Sequence, residues 1–506
     1  MKKLILAFVA MLSLNGLFAQ TYTQTTVIQN IDSPVAFDIA PDGRFFVTLK
    51  GGWSLPTSNA KIVVYDATGT LVGTFYDLTD SVDADFERGL LGITLAPDFA
   101  TSHYVYVYYN YNDDPTNGNG DERIRIERFT EVNNVGTNPQ IIFDLDVADN
   151  IPGNHVGGNV HFRPSDPTHI YFTIGDLAMN LTNPTLNYAN KLTNPYGKVN
   201  RIGKDPIPAG YDVHGAGTMG CNVPTDNPFY DDGLPMTNNC DIIWSYGHRN
   251  PFDFTFSTVN DSLYISENGQ NTWDEFNLGR RGGFYGWANC EGQYNNASST
   301  VLCTTPDIDP LETWGAPLPA VTGIVFYSST VMPEFDNHVL IGDNDYGRIY
   351  DITLGNGPSW DQFVSRVQWM DAVSETGGLT TLKQGADGCV YAMKGGYTTN
   401  GKIYSICPQG MGTPEFANGN FYLKQNYPNP FSSTTTLTYK LGKAADATIT
   451  LYDVFGREVS VLASGMQTAG EHQVVVDAKA LNLSAGMYYC TMASDGLSQS
   501  VSIVVE

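Results

Sequence analysis

Short runs of β-branched and aromatic residues recur along roughly the first 400 residues, and each run is followed by a small polar turn. The strongest runs begin at Phe45 (FFVTLKGG), Tyr104 (YVYVYYN), Ile170 (IYFTIGD), Leu263 (LYISENG), Val339 (VLIGDND) and Val390 (VYAMKGG). Runs of this composition, bounded by Gly, Asn, Asp and Pro, are typical of β-strands. Because similar units repeat at intervals of tens of residues, the pattern predicts propeller blades of about four strands each.

The pattern changes after Ile406. Residues 407–415 (CPQGMGTPE) are rich in Gly and Pro and predict the start of a linker. Alternating apolar and polar positions resume at Phe421 and predict a small antiparallel β-sandwich. The chain is therefore predicted to be all-β, with a propeller over residues 20–410, a linker over 411–420 and a sandwich over 421–506.

The first residues have the pattern of a secretory signal peptide. Lys2 and Lys3 precede the apolar run Leu4–Leu14, and Ala19 supplies a small residue for cleavage, which predicts a signal peptide over residues 1–19. No later apolar run reaches the length of a transmembrane helix. The mature protein is therefore expected to be secreted or held at the outer cell surface.

Charge and cysteine content fit an exported protein. The formal net charge is −26, from 27 basic and 53 acidic residues, which argues against nucleic acid as a partner. Export permits disulfides, and the cysteine spacings do not fit a zinc site. Pairing neighbours along the chain predicts three bonds and leaves Cys490 unpaired: Cys221–Cys240, Cys290–Cys303 and Cys389–Cys407.

The stretch Ile242–Gly292 holds an unusual concentration of polar groups after predicted strands. The run IIWSY ends in GHRNP, and the run LYISE ends in NGQN, with DE and YGW following. A His and an Arg side by side, and Gly-flanked carbonyls nearby, are groups that bind ligands when a rigid sheet presents them. Upstream, residues 87–92 read ERGLLG and residues 154–158 read NHVGG.

These motifs together resemble the soluble glucose and sorbosone dehydrogenase family. The resemblance implies a six-bladed β-propeller that uses pyrroloquinoline quinone (PQQ) and calcium to oxidise a sugar at its C1 hydroxyl. The six strand units match the six blades of that family. The expected function is thus an exported, PQQ- and calcium-dependent aldose dehydrogenase whose substrate is a sugar.

The resemblance also assigns roles to residues. His155 in the HVGG motif matches the base that takes a proton from the sugar, a role that suits imidazole near neutral pH. Arg249, Asn250 and Asn268 match cofactor contacts. The backbone carbonyls of Gly269 and Gln270 match the calcium ligands, and calcium accepts carbonyl oxygens.

Other positions depart from the family pattern. Glu87 takes the place of a cofactor-contacting Gln, and its ERGLLG motif resembles the Hedgehog-interacting-protein-like branch of the family. Asp345 and the run Gly378–Thr381 stand where basic residues hold the cofactor, while Arg348 and Lys383 lie close by in sequence. Few cations remain for a tricarboxylate, so PQQ binding is predicted to be weak and calcium-dependent, or absent. The alternative function is a non-catalytic surface propeller that binds carbohydrate or protein.

The last eighty or so residues resemble a second family. The motifs NYPNPF, DVFGREV and LSAGMYY resemble the C-terminal sorting domain of type IX secretion. This resemblance implies that residues 421–506 are an address read by the type IX secretion machinery.

Overall fold

The fold is almost entirely β. The structure, a computed structural model, describes residues 22–114, 120–147, 153–178, 187–208, 210–211, 218–230, 241–296, 298–304, 308–371, 373, 377–396, 400–409, 421–424, 426, 428–453, 457–494 and 497–505. Within these ranges there are 35 strands, one α-helix, α1 (Phe99–Ser102), and short 3-10 turns at Thr79–Ser81 and Pro333–Phe335. None of the helical segments in these ranges has the length and apolar character needed to cross a membrane. The predicted signal peptide lies outside them.

Six antiparallel sheets of four or five strands occupy the described part of residues 22–408. The first three are β2 (Pro34–Ile39), β3 (Phe45–Lys50), β4 (Ala60–Tyr65), β5 (Leu71–Asp77); β6 (Leu90–Leu95), β7 (Tyr104–Tyr111), β8 (Arg123–Val132), β9 (Val135–Asp146), β13 (Met219–Gly220); and β10 (Val160–Arg163), β11 (Asp166–Ile174), β12 (Lys198–Gly203), β14 (Ile243–Tyr246). The other three are β15 (Pro251–Phe256), β16 (Leu263–Glu267), β17 (Trp273–Gly279), β21 (Glu312–Gly315); β22 (Val321–Tyr327), β23 (His338–Asp343), β24 (Ile349–Gly355), β25 (Gln362–Met370); and β26 (Leu379–Gln384), β27 (Val390–Lys394), β28 (Gly401–Pro408), β1 (Tyr22–Ile31). A small extra sheet contains β18 (Cys290–Glu291), β19 (Tyr294–Asn295) and β20 (Ser298–Leu302).

The sheets follow one another around a ring of contacts. The strand at one edge of each sheet contacts its counterpart in the next sheet, in the order β2, β6, β10, β15, β22, β26 and back to β2. β6 and β22 are buried at every position, and apart from one threonine each their sequences contain only glycine, aliphatic and aromatic residues. The first strand of the chain pairs with the last strand of this region, since Tyr22 lies opposite Pro408. The six strong runs seen in the sequence form the second strand of each sheet, β3, β7, β11, β16, β23 and β27.

A buried charge network joins β8 to β9. Asp144 is fully buried and accepts hydrogen bonds from Arg123 Nε at 2.8 Å and Arg125 Nε at 2.6 Å. The guanidinium of Arg125 also lies 3.5 Å from the centroid of the Tyr111 ring. One carboxylate therefore holds two arginines inside the second sheet.

The C-terminal residues form two further antiparallel sheets. The first contains β29 (Phe421–Leu423), β30 (Thr434–Leu441) and β33 (Gly470–Asp477), and the second contains β31 (Ala445–Asp453), β32 (Glu458–Gln467), β34 (Gly486–Ser494) and β35 (Leu497–Val505). Side chains from both sheets share one hydrophobic core, with Leu437, Ile449 and Ile503 at its centre. Two sheets around a common core are what the predicted sandwich requires. The predicted linker lies outside the described residues.

Two of the three predicted disulfides are confirmed. Cys290 is bonded to Cys303 and Cys389 to Cys407. Cys221 forms no disulfide with any described residue, and Cys240, its predicted partner, lies outside them. Cys490 is a buried free cysteine in the described structure, as predicted.

Candidate functional site

A cavity of about 190 Å³ lies where the edge strands of all six sheets begin. Each sheet contributes a lining residue from the start of its edge strand or the loop before it: Val35, Leu91, Gly157, Asn250, Thr322 and Thr380. Lys50, Glu87, Asn268 and Asn344 add polar side chains to the wall. Segments that lie far apart in the sequence therefore form the cavity together.

His155 directly precedes two residues that line this cavity, Val156 and Gly157, and has well-defined hydrogen-bond partners. Its Nδ1 lies 2.6 Å from Asp176 Oδ1, and its Nε2 lies 2.9 Å from Arg249 Nη2. Because Arg249 can only donate, Nε2 is the acceptor and Nδ1 carries the proton. Asp176 is held in turn by Trp287 Nε1 at 2.7 Å. The imidazole is thus in the tautomer that leaves Nε2 as the basic nitrogen.

The backbone around His155 is tightly constrained. His155 has a φ of 56°, and its N–H donates to Glu87 Oε2 at 2.6 Å. Gly158 has a φ of 107°, and a Cβ there would lie 2.6 Å from Leu91 Cδ1. A non-glycine residue in the left-handed region is strained and persists only where neighbours hold it. Glu87 is one of the groups that hold it.

Arg249 links the predicted site residues to one another. Its Nη1 donates to the carbonyl oxygen of Asn268 at 3.0 Å, and its backbone N–H donates to Glu267. Burial lowers the pKa of Arg249. Asn250 Oδ1 accepts from the N–H of Gly157 at 3.3 Å. His155, Arg249, Asn250, Asn268 and Glu87 therefore converge as one cluster.

A water-sized pocket of about 10 Å³ lies beside this cluster and is strongly acidic. Glu267, Glu275 and Glu291 line it together with Gly269. Burial, together with the charge of Glu267, raises the pKa of the Glu275 carboxyl well above its usual range. Burial raises the pKa of Asp274 to about 6. The group of acids therefore carries less negative charge than its composition suggests.

The loop with the predicted calcium ligands is held by two carboxylates, since the N–H of Gly269 donates to Asp274 Oδ1 at 2.9 Å and the following N–H groups donate to Glu291. Glu291 Oε1 accepts hydrogen bonds from four consecutive N–H groups, at distances of 2.7 to 3.1 Å, from Gln270 to Trp273. A Cβ at Gly269 would lie 1.8 Å from the carbonyl oxygen of Trp273, so only glycine fits there. Among the described residues, no donor reaches the carbonyls of Gly269 and Gln270. Both oxygens keep their lone pairs for another partner.

The two basic residues considered as replacements for missing cations lie elsewhere. Arg348 pairs with Asp371 at 3.4 Å and lies over the Tyr346 ring. Lys383 lies 3.4 Å from His161 Nδ1, in a different cavity of about 140 Å³. Among the described residues, the basic side chain that lines the central cavity is instead Lys50, whose Nζ donates to the carbonyls of Gly52 and Ala84. Burial lowers the pKa of Lys50 to about 7, so it is a weak source of positive charge.

Sequence comparison identifies the family. Residues 31–405 match the protein family described as "Glucose / Sorbosone dehydrogenase". The chain belongs to the glucose/sorbosone dehydrogenase family. It is 26% identical over 318 residues to the aldose sugar dehydrogenase YliI of Escherichia coli, covering 62% of this chain and 75% of that protein. It is 27% identical over 282 residues to quinoprotein glucose dehydrogenase B of Acinetobacter calcoaceticus, covering 54% of each.

Other glucose/sorbosone dehydrogenase relatives extend the comparison to plants and to solved structures. HIPL1 protein of Arabidopsis thaliana is 26% identical over 255 residues, covering 43% of this chain and 35% of that protein. The apo-form of Escherichia coli aldose sugar dehydrogenase has a TM-score of 0.60 at 22% identity, covering 77% of this chain and all of that one. The PQQ-bound enzyme of Streptomyces coelicolor has a TM-score of 0.55 at 22% identity, covering 77% and 98%. At this identity the structural likeness concerns the fold.

The C-terminal residues match a second protein family. Residues 425–506 match the family described as "Secretion system C-terminal sorting domain". This match confirms the resemblance to type IX sorting domains and indicates delivery to the cell surface or beyond.

Three further residues of the site, Asp176, Trp287 and Lys50, were not predicted from the sequence. Asp176 ends the strand run IYFTIGD, and its place after HVGG was the available signal. Trp287 belongs to YGW, a motif used only for the family resemblance. Lys50 ends the buried strand β3, where it resembles any strand terminus.

Proposed function

We propose that this protein oxidises the C1 hydroxyl of an aldose and passes the hydride to PQQ held with calcium in the central cavity. The six sheets are, in this proposal, the six blades of a β-propeller. The observation that carries the proposal is the His155–Asp176 pair beside a cavity that all six sheets line. The sugar dehydrogenase relatives support the same reaction class.

His155 acts as the general base in this mechanism. Nε2 accepts the proton of the sugar C1 hydroxyl, and Asp176 stabilises the imidazolium that forms through Nδ1–H. In this structure Nε2 already accepts a hydrogen bond from Arg249 Nη2, at 2.9 Å. The guanidinium must therefore release Nε2 before the sugar hydroxyl can reach it, and a ligand oxygen is its natural new acceptor.

The residues around the cavity fit the cofactor in part. Asn250, Asn268 and Asn344 line the cavity and offer amide groups for quinone and carboxylate oxygens. Arg249, which lines the small neighbouring pocket, offers a charged fork. The lone pairs on the carbonyls of Gly269 and Gln270 suit a hard cation such as calcium. When bound, PQQ supplies the hydride acceptor. Glu87 contributes by holding the His155 backbone, and its carboxylate limits how much negative charge the cavity tolerates.

PQQ is expected to bind weakly and only with calcium. The expected basic residues are replaced at Asp345 and Gly378–Thr381, and each lost charge-assisted hydrogen bond costs roughly 1.5–3 kcal/mol. Isothermal titration in saturating calcium should show a dissociation constant several powers of ten weaker than a nanomolar site, roughly micromolar or above. Addition of a chelator should abolish the heat signal.

Two variants sharpen this titration. Arg249→Met should remove the remaining binding, whereas Arg280→Met, at a 54% exposed guanidinium paired with Asp361, should leave it unchanged. Tight binding that persists in chelator would contradict the expected cation shortage. If no binding occurs at high PQQ, the dehydrogenase proposal fails, and the non-catalytic propeller that binds carbohydrate or protein takes its place.

The C-terminal sheets are proposed to act as a separable export module. A chain ended near Met411 should keep the melting temperature of the large unit within a degree or so, because the two C-terminal sheets have a hydrophobic core of their own. The same truncation should abolish delivery to the cell surface. Differential scanning calorimetry measures the melting temperature, and surface labelling measures delivery. Aggregation of the truncated chain would count against an independent module.

A further inference from the structure

Two exposed aromatic side chains, Trp53 and Phe86, stand side by side on the surface. Their exposed fractions are 45% and 48%, and their ring centroids lie 6.1 Å apart at an interplanar angle of 71°. Exposed apolar side chains are common in this chain, and Leu71 and Val72 are another neighbouring pair. What distinguishes Trp53 and Phe86 is that both are aromatic and that both neighbour residues of the central cavity.

The aromatic pair adjoins the central cavity on two sides. Phe86 directly precedes Glu87, which lines the cavity. The Nζ of Lys50, another lining residue, lies 5.4 Å from the centroid of a ring of Trp53. The N–H of Phe86 donates to the carbonyl oxygen of Trp53 at 3.3 Å, which ties the two segments together. Trp53 and Phe86 are not among the lining residues themselves, but each neighbours one: Lys50 beside Trp53 and Glu87 beside Phe86.

The backbone holds Phe86 outward at an energetic cost. Phe86 has a φ of 51°, a left-handed conformation that is unusual for a bulky residue. The next N–H, of Glu87, donates to the carbonyl oxygen of Gly153 at 3.0 Å, and a Cβ at Gly153 would lie 3.0 Å from the Cβ of Phe86. Strain of this kind is concentrated at binding sites and active sites. Core packing gives no reason for it, since the ring is half exposed.

We propose that Trp53 and Phe86 form a second sugar subsite, so that the substrate is an oligosaccharide or the end of a glycan chain. This inference rests on the proposed function, which places the reacting sugar unit in the adjoining cavity. A pyranose ring presents C–H groups on one face and hydroxyls around its rim. An aromatic ring that is half exposed packs against the C–H face and leaves the hydroxyls in water.

The subsite should act on binding more than on the chemical step. The aromatic pair touches a sugar unit that does not react, so its contacts are similar in the ground state and the transition state. Interactions of that kind lower KM and leave kcat largely unchanged. Loss of the subsite should therefore raise KM for a trisaccharide and leave KM for the corresponding monosaccharide unchanged.

The test is calorimetric and needs no turnover. The full mature chain is titrated with cello-, malto-, xylo- and mannotriose and with their monosaccharides, and tryptophan fluorescence is followed in parallel. At least one trisaccharide should bind about tenfold tighter than its monosaccharide, the size expected for an aromatic contact. Trp53→Ala and Phe86→Asn should remove that tenfold difference, and Asn tolerates the left-handed φ. Tyr489→Ala, at a 42% exposed ring of the C-terminal sheets, is the matched control and should preserve it.

The outcomes separate this inference from the proposed function. Equal affinity for every trisaccharide and its monosaccharide overturns the subsite, and so does a tenfold preference that survives both substitutions. If the preference is present and lost on substitution, but dye reduction with PQQ and calcium is absent, the subsite stands and the dehydrogenase proposal fails. If the protein reduces dye with monosaccharides as substrates but binds no trisaccharide more tightly, the dehydrogenase proposal stands and the subsite fails.

Discussion

Replacing His155 with Gln should lower kcat for sugar oxidation by roughly 10²–10⁴-fold, the contribution of a positioned general base. Gln preserves much of the side-chain volume but cannot accept the hydroxyl proton. The loss should appear in kcat, measured by dye reduction with PQQ and calcium, while the calorimetric affinity for PQQ changes little. Asp176→Asn should lower kcat by a smaller factor, because Asn can favour the wrong tautomer of His155 without removing the imidazole.

A matched His–Asp pair provides the control. His338 Nδ1 lies 2.7 Å from Asp351 Oδ1 on neighbouring strands of the fifth sheet, and neither residue lines the central cavity. His338→Gln should leave kcat unchanged. A His155→Gln protein that retains more than a tenth of the wild-type kcat would show that another group takes the proton.

Replacing Asp144 with Asn should destabilise the large unit by roughly 3–5 kcal/mol, the cost of removing one partner from a buried ion pair. Asp144 is 0% exposed and lies between Arg123 and Arg125. Asn keeps the shape but removes the negative charge that both guanidinium groups share, while Arg123 keeps its longer contacts with Asp121 and Asp146 at 3.5 Å. Urea unfolding of the purified protein measures the change in the free energy of unfolding of the large unit.

An exposed pair on the first sheet sets the scale for this effect. Asp77 lies 3.2 Å from Lys61 Nζ, and its side chain is 50% exposed. Asp77→Asn should change the free energy of unfolding by less than about 1 kcal/mol, because water and salt screen such pairs. Similar losses in Asp144→Asn and Asp77→Asn would mean that the buried network contributes little to stability.

The sequence was sufficient for the strands because their signal is local. FFVTLK and VLIGD each combine β-branched and apolar residues with a following Gly or Asp turn, and each became the buried second strand of a sheet, β3 and β23. The disulfides Cys290–Cys303 and Cys389–Cys407 were predictable for a similar reason, because each closes a short loop of 13 or 18 residues. Neither prediction required knowledge of distant contacts.

Motifs in the sequence were enough to name the predicted site residues. They did not predict the distances between those residues in the fold. His155 and Arg249 are 94 positions apart, yet Nε2 and Nη2 lie 2.9 Å from each other. That distance exists because the third and fourth sheets are neighbours in the ring and both present the start of an edge strand to the cavity. No local pattern encodes it.

The sequence by itself predicted the β architecture and two disulfides, and it named most of the residues that the structure brings together around His155, since each of these features depends on a few neighbouring positions. The tertiary structure alone decided that Lys50, and neither Arg348 nor Lys383, stands on the cavity wall, and that Asp176 and Trp287 fix the tautomer of His155. It also brought Trp53 beside Phe86. Each of these contacts joins segments that are far apart in the sequence. They form only because the sheets pack against one another, and no single stretch of the chain encodes that packing.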